Sequence, residues 1–364
     1  MCGGVVTIPR VGTVALTTQP PNRSFDLDDC IGQRSATFRF DWIDGITGEN
    51  LGQLYPLRDP GARLQHNADR TIPRTLRLAL GAADSAAIDV IRDRVLPYME
   101  IGGGSYPLGR YMVSSAVPLL TTSGDVTSLQ LTDEMFRVDQ KIDRGFAPSG
   151  TVMASILDLI DTVQDPPVTD IEPSVYAATG GWSIGAGRGQ ILDALGTQGD
   201  YLKPWMNHYG VLRMIRTFDP AAAVPTFDFD YYKRVLRGSA TVGNDLLDAP
   251  NRFVVTSNGG GDSVISASSD IPVTAPHSIP NRGFVVVETT NLQLTSQNQA
   301  QAIADGLATT ATVLEHASVS TPPDPRHDGW DVILWRGVQW LETGWSMDMI
   351  EGGEMTHELQ RAYT

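Results

Sequence analysis

Apolar positions along this chain recur first every second residue, then every third or fourth, then every second again. From Ala36 to Trp42 they alternate: Ala36, Phe38, Phe40 and Trp42 share one face, and Thr37, Arg39 and Asp41 share the other. A period of two belongs to a half-buried strand, because successive side chains of an extended chain point to opposite faces. Asp44-Gly45 then marks a hairpin turn. Leu76, Leu78 and Leu80 repeat the alternation, with Thr75 and Arg77 opposite. Tyr106 to Val117 is another extended run, opened by Gly102-Gly103-Gly104, and Leu129 and Leu131 lie on a further short strand. One segment departs from the pattern. Asp84 to Val95 carries Ile88, Ile91 and Val95 at spacings of three and four, which predicts a short helix stopped by Pro97.

The middle of the chain reads as helical. Asp133 to Ile142 is one candidate, and Thr151 to Val163 is another, with Val152, Ile156, Leu159, Ile160 and Val163 forming one stripe. Asp165-Pro166-Pro167 and Glu172-Pro173 predict loop. Gln190 to Trp205 is a third helix candidate, broken by Gly196 and Gly199, and Val211 to Thr217 is again strand-like.

The last third returns to period two. Strands are expected at Arg252 to Ser257, Gly283 to Thr290, Trp330 to Trp335, Val338 to Glu342 and Trp345 to Ile350, with turns at Arg336-Gly337 and Thr343-Gly344. One helix interrupts them. Ser296-Gln297-Asn298-Gln299 has the form of a capping box, and Ala300, Ile303, Ala304, Leu307, Ala311 and Leu314 make a narrow stripe suited to close packing on a sheet. The fold class is therefore α+β, mainly β, with β-rich lobes around a helical, Pro-punctuated middle. The expected divisions are 1–130, a β-rich domain; 131–207, a helical insertion; 208–240, strands completing the first lobe or linking the lobes; and 241–364, a β-rich domain with one packed helix.

Charge narrows the function. The 27 Lys and Arg face 42 Asp and Glu, a net −15. That argues against a protein that coats nucleic acid, which needs extended positive potential. Two cysteines, Cys2 and Cys30, exclude a disulfide-rich scaffold and a four-thiolate zinc site. Either one bridge or two free thiols fits them. No apolar run reaches the roughly 18–20 residues of a membrane span, and MCGGVVTIPR has no basic segment leading into a long apolar core.

Candidate chemistry is sparse. Gly185-Ala186-Gly187-Arg188-Gly189 precedes a helix but lacks the Lys-Ser/Thr of a P-loop and the third Gly of a dinucleotide fingerprint. His66, His208, His277, His316, His327 and His357 show no helical pair of ligands, so a metal site needs distant residues to converge. His357 lies in an alternating run and reads as an ordinary strand position. Asp26-Leu27-Asp28-Asp29 and Asp228-Phe229-Asp230 lack the Gly and Glu of a calcium loop and read as acidic turns. No Gly-x-Ser-x-Gly elbow occurs. The expectation is no catalytic residue, no cofactor and no metal. Tryptophan is the odd feature: Trp330, Trp335, Trp340 and Trp345 recur every five residues. Core packing, a subunit interface and a sugar platform all fit such a series.

Three stretches carry a family resemblance. The first is Arg70-Thr71-Ile72-Pro73-Arg74-Thr75-Leu76-Arg77-Leu78-Ala79-Leu80 followed by Tyr106-Pro107-Leu108-Gly109-Arg110-Tyr111-Met112-Val113-Ser114-Ser115. The second is Asp245-Leu246-Leu247-Asp248-Ala249-Pro250-Asn251-Arg252-Phe253-Val254-Val255. The third runs from Gln299-Ala300 through Asp324-Pro325 and Asp331-Val332-Ile333 to Gly352-Gly353-Glu354-Met355-Thr356-His357-Glu358-Leu359-Gln360-Arg361. In order and spacing the chain resembles minor tail and baseplate-hub proteins of long-tailed phages of actinobacteria.

The resemblance implies two β-barrel domains related to tail-tube subunits. It implies a structural virion protein at the distal tail tip, a trimer whose ring caps the tube. The implied partners are further copies, the tail-tube or distal tail protein, the tape measure protein and other minor tail proteins. DNA would pass through the lumen without sequence-specific binding, and an acidic wall would not hold its phosphates. A receptor- or glycan-binding tip protein using the Trp-rich lobe is the alternative. A cell-wall hydrolase has no motif to support it.

Overall fold

The computed structural model describes residues 36–361 apart from 59–60, 122–123, 232–239, 245–248, 258–264, 293, 295 and 311–314. Cys2, Cys30, the acidic run at Asp26 and the stretch Asp245 to Asp248 lie outside the described residues.

Alternating residues at the start build β1 (Thr37–Ile43), β2 (Asn50–Leu54), β3 (Arg63–Asn67) and β4 (Arg74–Gly81). A short helix α1 (Ala82–Ala87) precedes β5 (Arg94–Ile101), β6 (Gly104–Pro107), β7 (Tyr111–Thr121) and β8 (Gly124–Asp133). Asp44 makes the first turn, its Oδ1 accepting from the amides of Ile46 and Thr47 at 2.8 Å each. The helix expected over Asp84 to Val95 is shorter and lies earlier. The Asp89 carboxylate accepts from the amides of Ile91 and Arg92, offering the backbone a turn in place of a helix. Ile91 is then 86% exposed. Pro97, expected as a stop, sits within β5, where its carbonyl accepts from Leu108 N at 2.9 Å.

The middle contains α2 (Met135–Val138), α3 (Val152–Ile160), β9 (Thr169–Ile171), α4 (Arg188–Gln198), β10 (Trp205–Met206) and β11 (Leu212–Met214). The Thr151 hydroxyl caps α3 by accepting from Ala154 N, and all five stripe residues of that segment are buried. α2 is a single turn where a longer helix was expected. α4 runs through Gly196 and ends at Gly199. The strands form a small sheet in the order β10–β11–β9, and one apolar core joins them to α2, α3 and α4.

The last part holds β12 (Phe227–Asp228), β13 (Thr241–Asn244), β14 (Arg252–Ser257), β15 (Ser266–Asp270), α5 (Ile279–Arg282), β16 (Val287–Leu292), α6 (Gln297–Thr310), β17 (Glu315–Thr321), β18 (Val332–Trp335), β19 (Val338–Asp348) and β20 (Met355–Arg361). β15, β14 and β16 form a separate sheet on which α6 packs through Ala300, Ile303 and Ala304. Ser296 accepts from Gln299 N. The Gln299 side-chain amide donates to Gln198 O at 3.2 Å, tying α6 to the middle region.

The fold is mainly β, with 42% of the described residues in strands and 16% in helices. Among the described residues the main sheet has 14 strands, with the path β13–β17–β20–β19–β3–β4–β8–β7–β5–β1–β2. The central junction is β3 against β19, with His66 opposite Trp345. Strands from the first and last parts of the chain thus share one sheet and one core, in which Trp345, Met347 and Met355 pack with Leu64, Leu76 and Leu78. No closed barrel occurs among the described residues. The turn expected at Thr343-Gly344 is a bulge inside one continuous strand, β19. Gly344 is needed there because a Cβ would come within 3.0 Å of the His66 carbonyl.

Candidate functional site

The β18–β19 hairpin and its surroundings hold the tryptophans. Arg336 and Gly337 turn it with φ of 56° and 69°, and the Asp230 carboxylate accepts from both of their amides at 2.9 and 2.8 Å. Asp228 likewise accepts from the amides of Asp230 and Tyr231. The acidic run is therefore a hydrogen-bonded turn device. Trp335 and Trp340 come together across the hairpin with ring centroids 5.7 Å apart, and Trp340 Nε1 donates to the Trp335 carbonyl. Both are buried with Phe227, Phe229, Val319 and Ile333. Trp345 is buried in the other core. Trp330 alone is half-exposed, and its Nε1 donates to Lys203 O at 3.3 Å.

Charged residues converge beside Trp345. Arg74, only 1% exposed, pairs with Asp328, and its Nη1 lies 3.2 Å from His208 Nδ1. A guanidinium has only donors, so His208 Nδ1 accepts and Nε2–H donates to the His327 carbonyl at 2.6 Å. Asp328 also accepts from Trp205 Nε1 at 3.0 Å, and its carbonyl accepts from Trp345 Nε1 at 2.9 Å. Burial first, and the Arg74 charge second, push His208 down to about 4 and hold His66 well below its usual range. Asp133, on the next strand from Arg74, is pushed up to about 7 by burial.

A second cluster lies next to the first. His327 from the β17–β18 loop, Glu342 from β19 and His357 from β20 are each 1% exposed or less. His327 Nδ1 is 2.8 Å from Glu342 Oε2, and His357 Nδ1 is 2.5 Å from Glu342 Oε1. The bulge sets this geometry. It leaves Glu342 opposite Leu359 while Trp345 stands opposite His357, so Glu342 lies diagonal to His357 on one face. His327 is fixed by stacking on Phe227, centroids 3.8 Å apart, and Phe229 meets His357 edge-on at 5.2 Å. Desolvation dominates here, pushing His357 down to about 3, His327 below its usual value and Glu342 above the usual carboxylate range.

Sequence reading did not find this cluster. Its members are far from any ligand spacing, and His357 looks like one more inward position. A weak signal was present: three ionisable residues sit where apolar ones would serve. The Gly-rich segment before α4 is occupied from within, since Gly189 N donates to the Asp139 carboxylate at 3.1 Å.

No protein-family profile matches the sequence, and no curated protein sequence does either. Solved structures do match. The 43 kDa tail protein of prophage MuSo2 from Shewanella oneidensis is similar over 89% of this chain and 98% of its own, at 14% identity and a TM-score of 0.59. The tail protein from Neisseria meningitidis MC58 matches over 89% and 97%, at 10% identity and 0.58. The fold is that of phage tail proteins. The prophage tail protein gp18 from Listeria monocytogenes EGD-e agrees over 88% and 94%, at 8% identity and a TM-score of 0.57.

Proposed function

We propose that this chain is a structural virion protein of the phage tail tip, a baseplate-hub or minor tail protein without catalytic activity. In this reading three copies form a ring that caps the tail tube. The ring joins the tube or distal tail protein and the tape measure protein to other minor tail proteins, and the genome passes through its lumen. The observation that carries the reading is the fold shared with two prophage tail proteins over nearly their whole length. The open main sheet supports assembly. β2 pairs only with β1 among the described residues, and four of its five residues are exposed. An unpaired edge invites a neighbouring strand, and closure into a ring stops such pairing from running on. The burial of Trp335, Trp340 and Trp345 favours this reading over a glycan platform, which needs open rings.

Immunogold labelling of intact particles with an antibody to this chain tests it. Label confined to the distal tail end is expected. Absence of label from both intact and disrupted tails overturns it. The net charge of −15 fits an acidic lumen, and an assembled ring with a neutral or basic inner wall removes that part.

A further inference from the structure

We propose that His327, Glu342 and His357 form a structural site for one first-row divalent cation, zinc in a cell. Nothing in this inference depends on the tail role. The three donors, two imidazole nitrogens and a carboxylate oxygen, lie within 4.8 Å of one another and are all buried. Imidazole and carboxylate together suit zinc and its neighbours rather than calcium or magnesium.

One hydrogen-bond pattern leaves His357 ready to ligate. Thr321 Oγ1 lies 2.7 Å from His357 Nε2 and 3.0 Å from the Pro322 carbonyl. A hydroxyl has one proton. Given to the carbonyl, it leaves Oγ1 to accept from His357 Nε2–H. His357 Nδ1 is then a lone pair facing Glu342. A lone pair and a carboxylate oxygen 2.5 Å apart repel unless a proton or a metal cation sits between them. A metal there completes an unbroken chain: metal, His357, Thr321, backbone carbonyl. Outer partners of this kind fix a ligating imidazole in the tautomer the metal needs.

Charge points the same way. The cluster holds one carboxylate, and the neighbouring Arg326 is turned to Asp324, with Nε 2.9 Å from Oδ1 and Nη2 2.6 Å from Oδ2. A buried anion without a counter-charge is costly. The ligand backbones are already placed. Glu342 and His357 lie in adjacent paired strands, and the His327 carbonyl is held by His208. Metal bonds of about 2.0–2.2 Å set tetrahedral ligands about 3.3–3.5 Å apart, so each histidine–glutamate pair needs to spread by about 0.5–1 Å.

The test is metal content of the full-length chain, purified without a histidine tag and dialysed, followed by titration of Zn2+ into chelator-treated protein. About one zinc per chain is expected, with a melting temperature that falls on chelation and recovers with Zn2+. Glu342→Gln and His327→Gln should each lose the bound metal. X-ray absorption at the zinc edge of wild-type protein keeps the proposal falsifiable where these variants fail to fold. It should show nitrogen and oxygen neighbours, imidazole outer shells and no sulfur. A sulfur shell would move the metal to the cysteines and overturn the assignment. So would folded variants that keep the zinc. Wild-type protein that carries no metal and takes up none leaves the triad sharing a proton only.

Discussion

The Arg74 guanidinium and the His208 imidazole are buried side by side, Nη1 3.2 Å from Nδ1. The contact requires a neutral histidine, because a proton on Nδ1 would place a donor against a donor. His66 is held neutral nearby by burial and by the same arginine.

Acid should therefore destabilise the fold. His208 titrates at about 4 in the folded chain against 6.5 in the unfolded one. The unfolded state binds more protons between these values. Stability is fully present above 6.5 and is lost as pH falls toward about 4. Melting temperatures across this window should fall with pH, and His208→Gln should flatten the slope.

Asp133 acts with the opposite sign. Its folded pKa of about 7 lies above the unfolded 3.8, so its contribution is full below 3.8 and is lost as pH rises through 7. Asp133→Asn does not titrate. Its stability relative to wild type, from urea unfolding, should be greater at pH 8 than at pH 4.

Removing the central cation should be damaging. Arg74→Met leaves Asp328, His208 and the Trp345 ring without their cationic partner, and the loss should be about 3 kcal/mol in urea unfolding. Retention of wild-type stability would show that the ion pair is dispensable.

The tryptophans should separate sharply. Trp340→Ala opens a cavity in the core around Phe227 and Ile333 and should cost about 3–5 kcal/mol. Trp330→Ala removes one hydrogen bond at the surface and should cost about 1 kcal/mol. Any sugar-binding assay on this lobe must use Trp330, since loss of binding in Trp340→Ala would report unfolding.

Assembly should depend on β2. Leu51, 41% exposed on that edge, is a position where Leu51→Lys leaves the core intact. On the ring proposal, light scattering should show a monomer with an unchanged melting temperature. An unchanged trimer would place the interface elsewhere.

Local periodicity made much of this fold readable. The stripe of α3, the alternating leucines of β4 and the run Arg252 to Ser257 each repeat within a few residues. What failed were places where a long-range partner overrides a local signal. Thr343-Gly344 looks like a turn, but strands on both sides continue the ladder through it. Pro97 looks like a stop, but β5 needs its carbonyl and not an amide there. The His327, Glu342 and His357 cluster was hidden for the same reason, since topology and a bulge assemble it. The resemblance to phage tail proteins pointed to the fold that the solved structures share. The two closed barrels it implies do not occur among the described residues, whose main sheet stays open.

The β3–β19 junction has a consequence in time. Arg63 and Ser346 meet across it, 283 residues apart in sequence. A ribosome must deliver 283 further residues after Arg63 before β3 meets its partner on that side. Until then the nascent protein carries an open strand edge and a core lacking Trp345 and Met347. Pairings of such span slow folding and lengthen exposure to aggregation. Synthesis rate and chaperone supply, more than final stability, should govern the yield of folded chain.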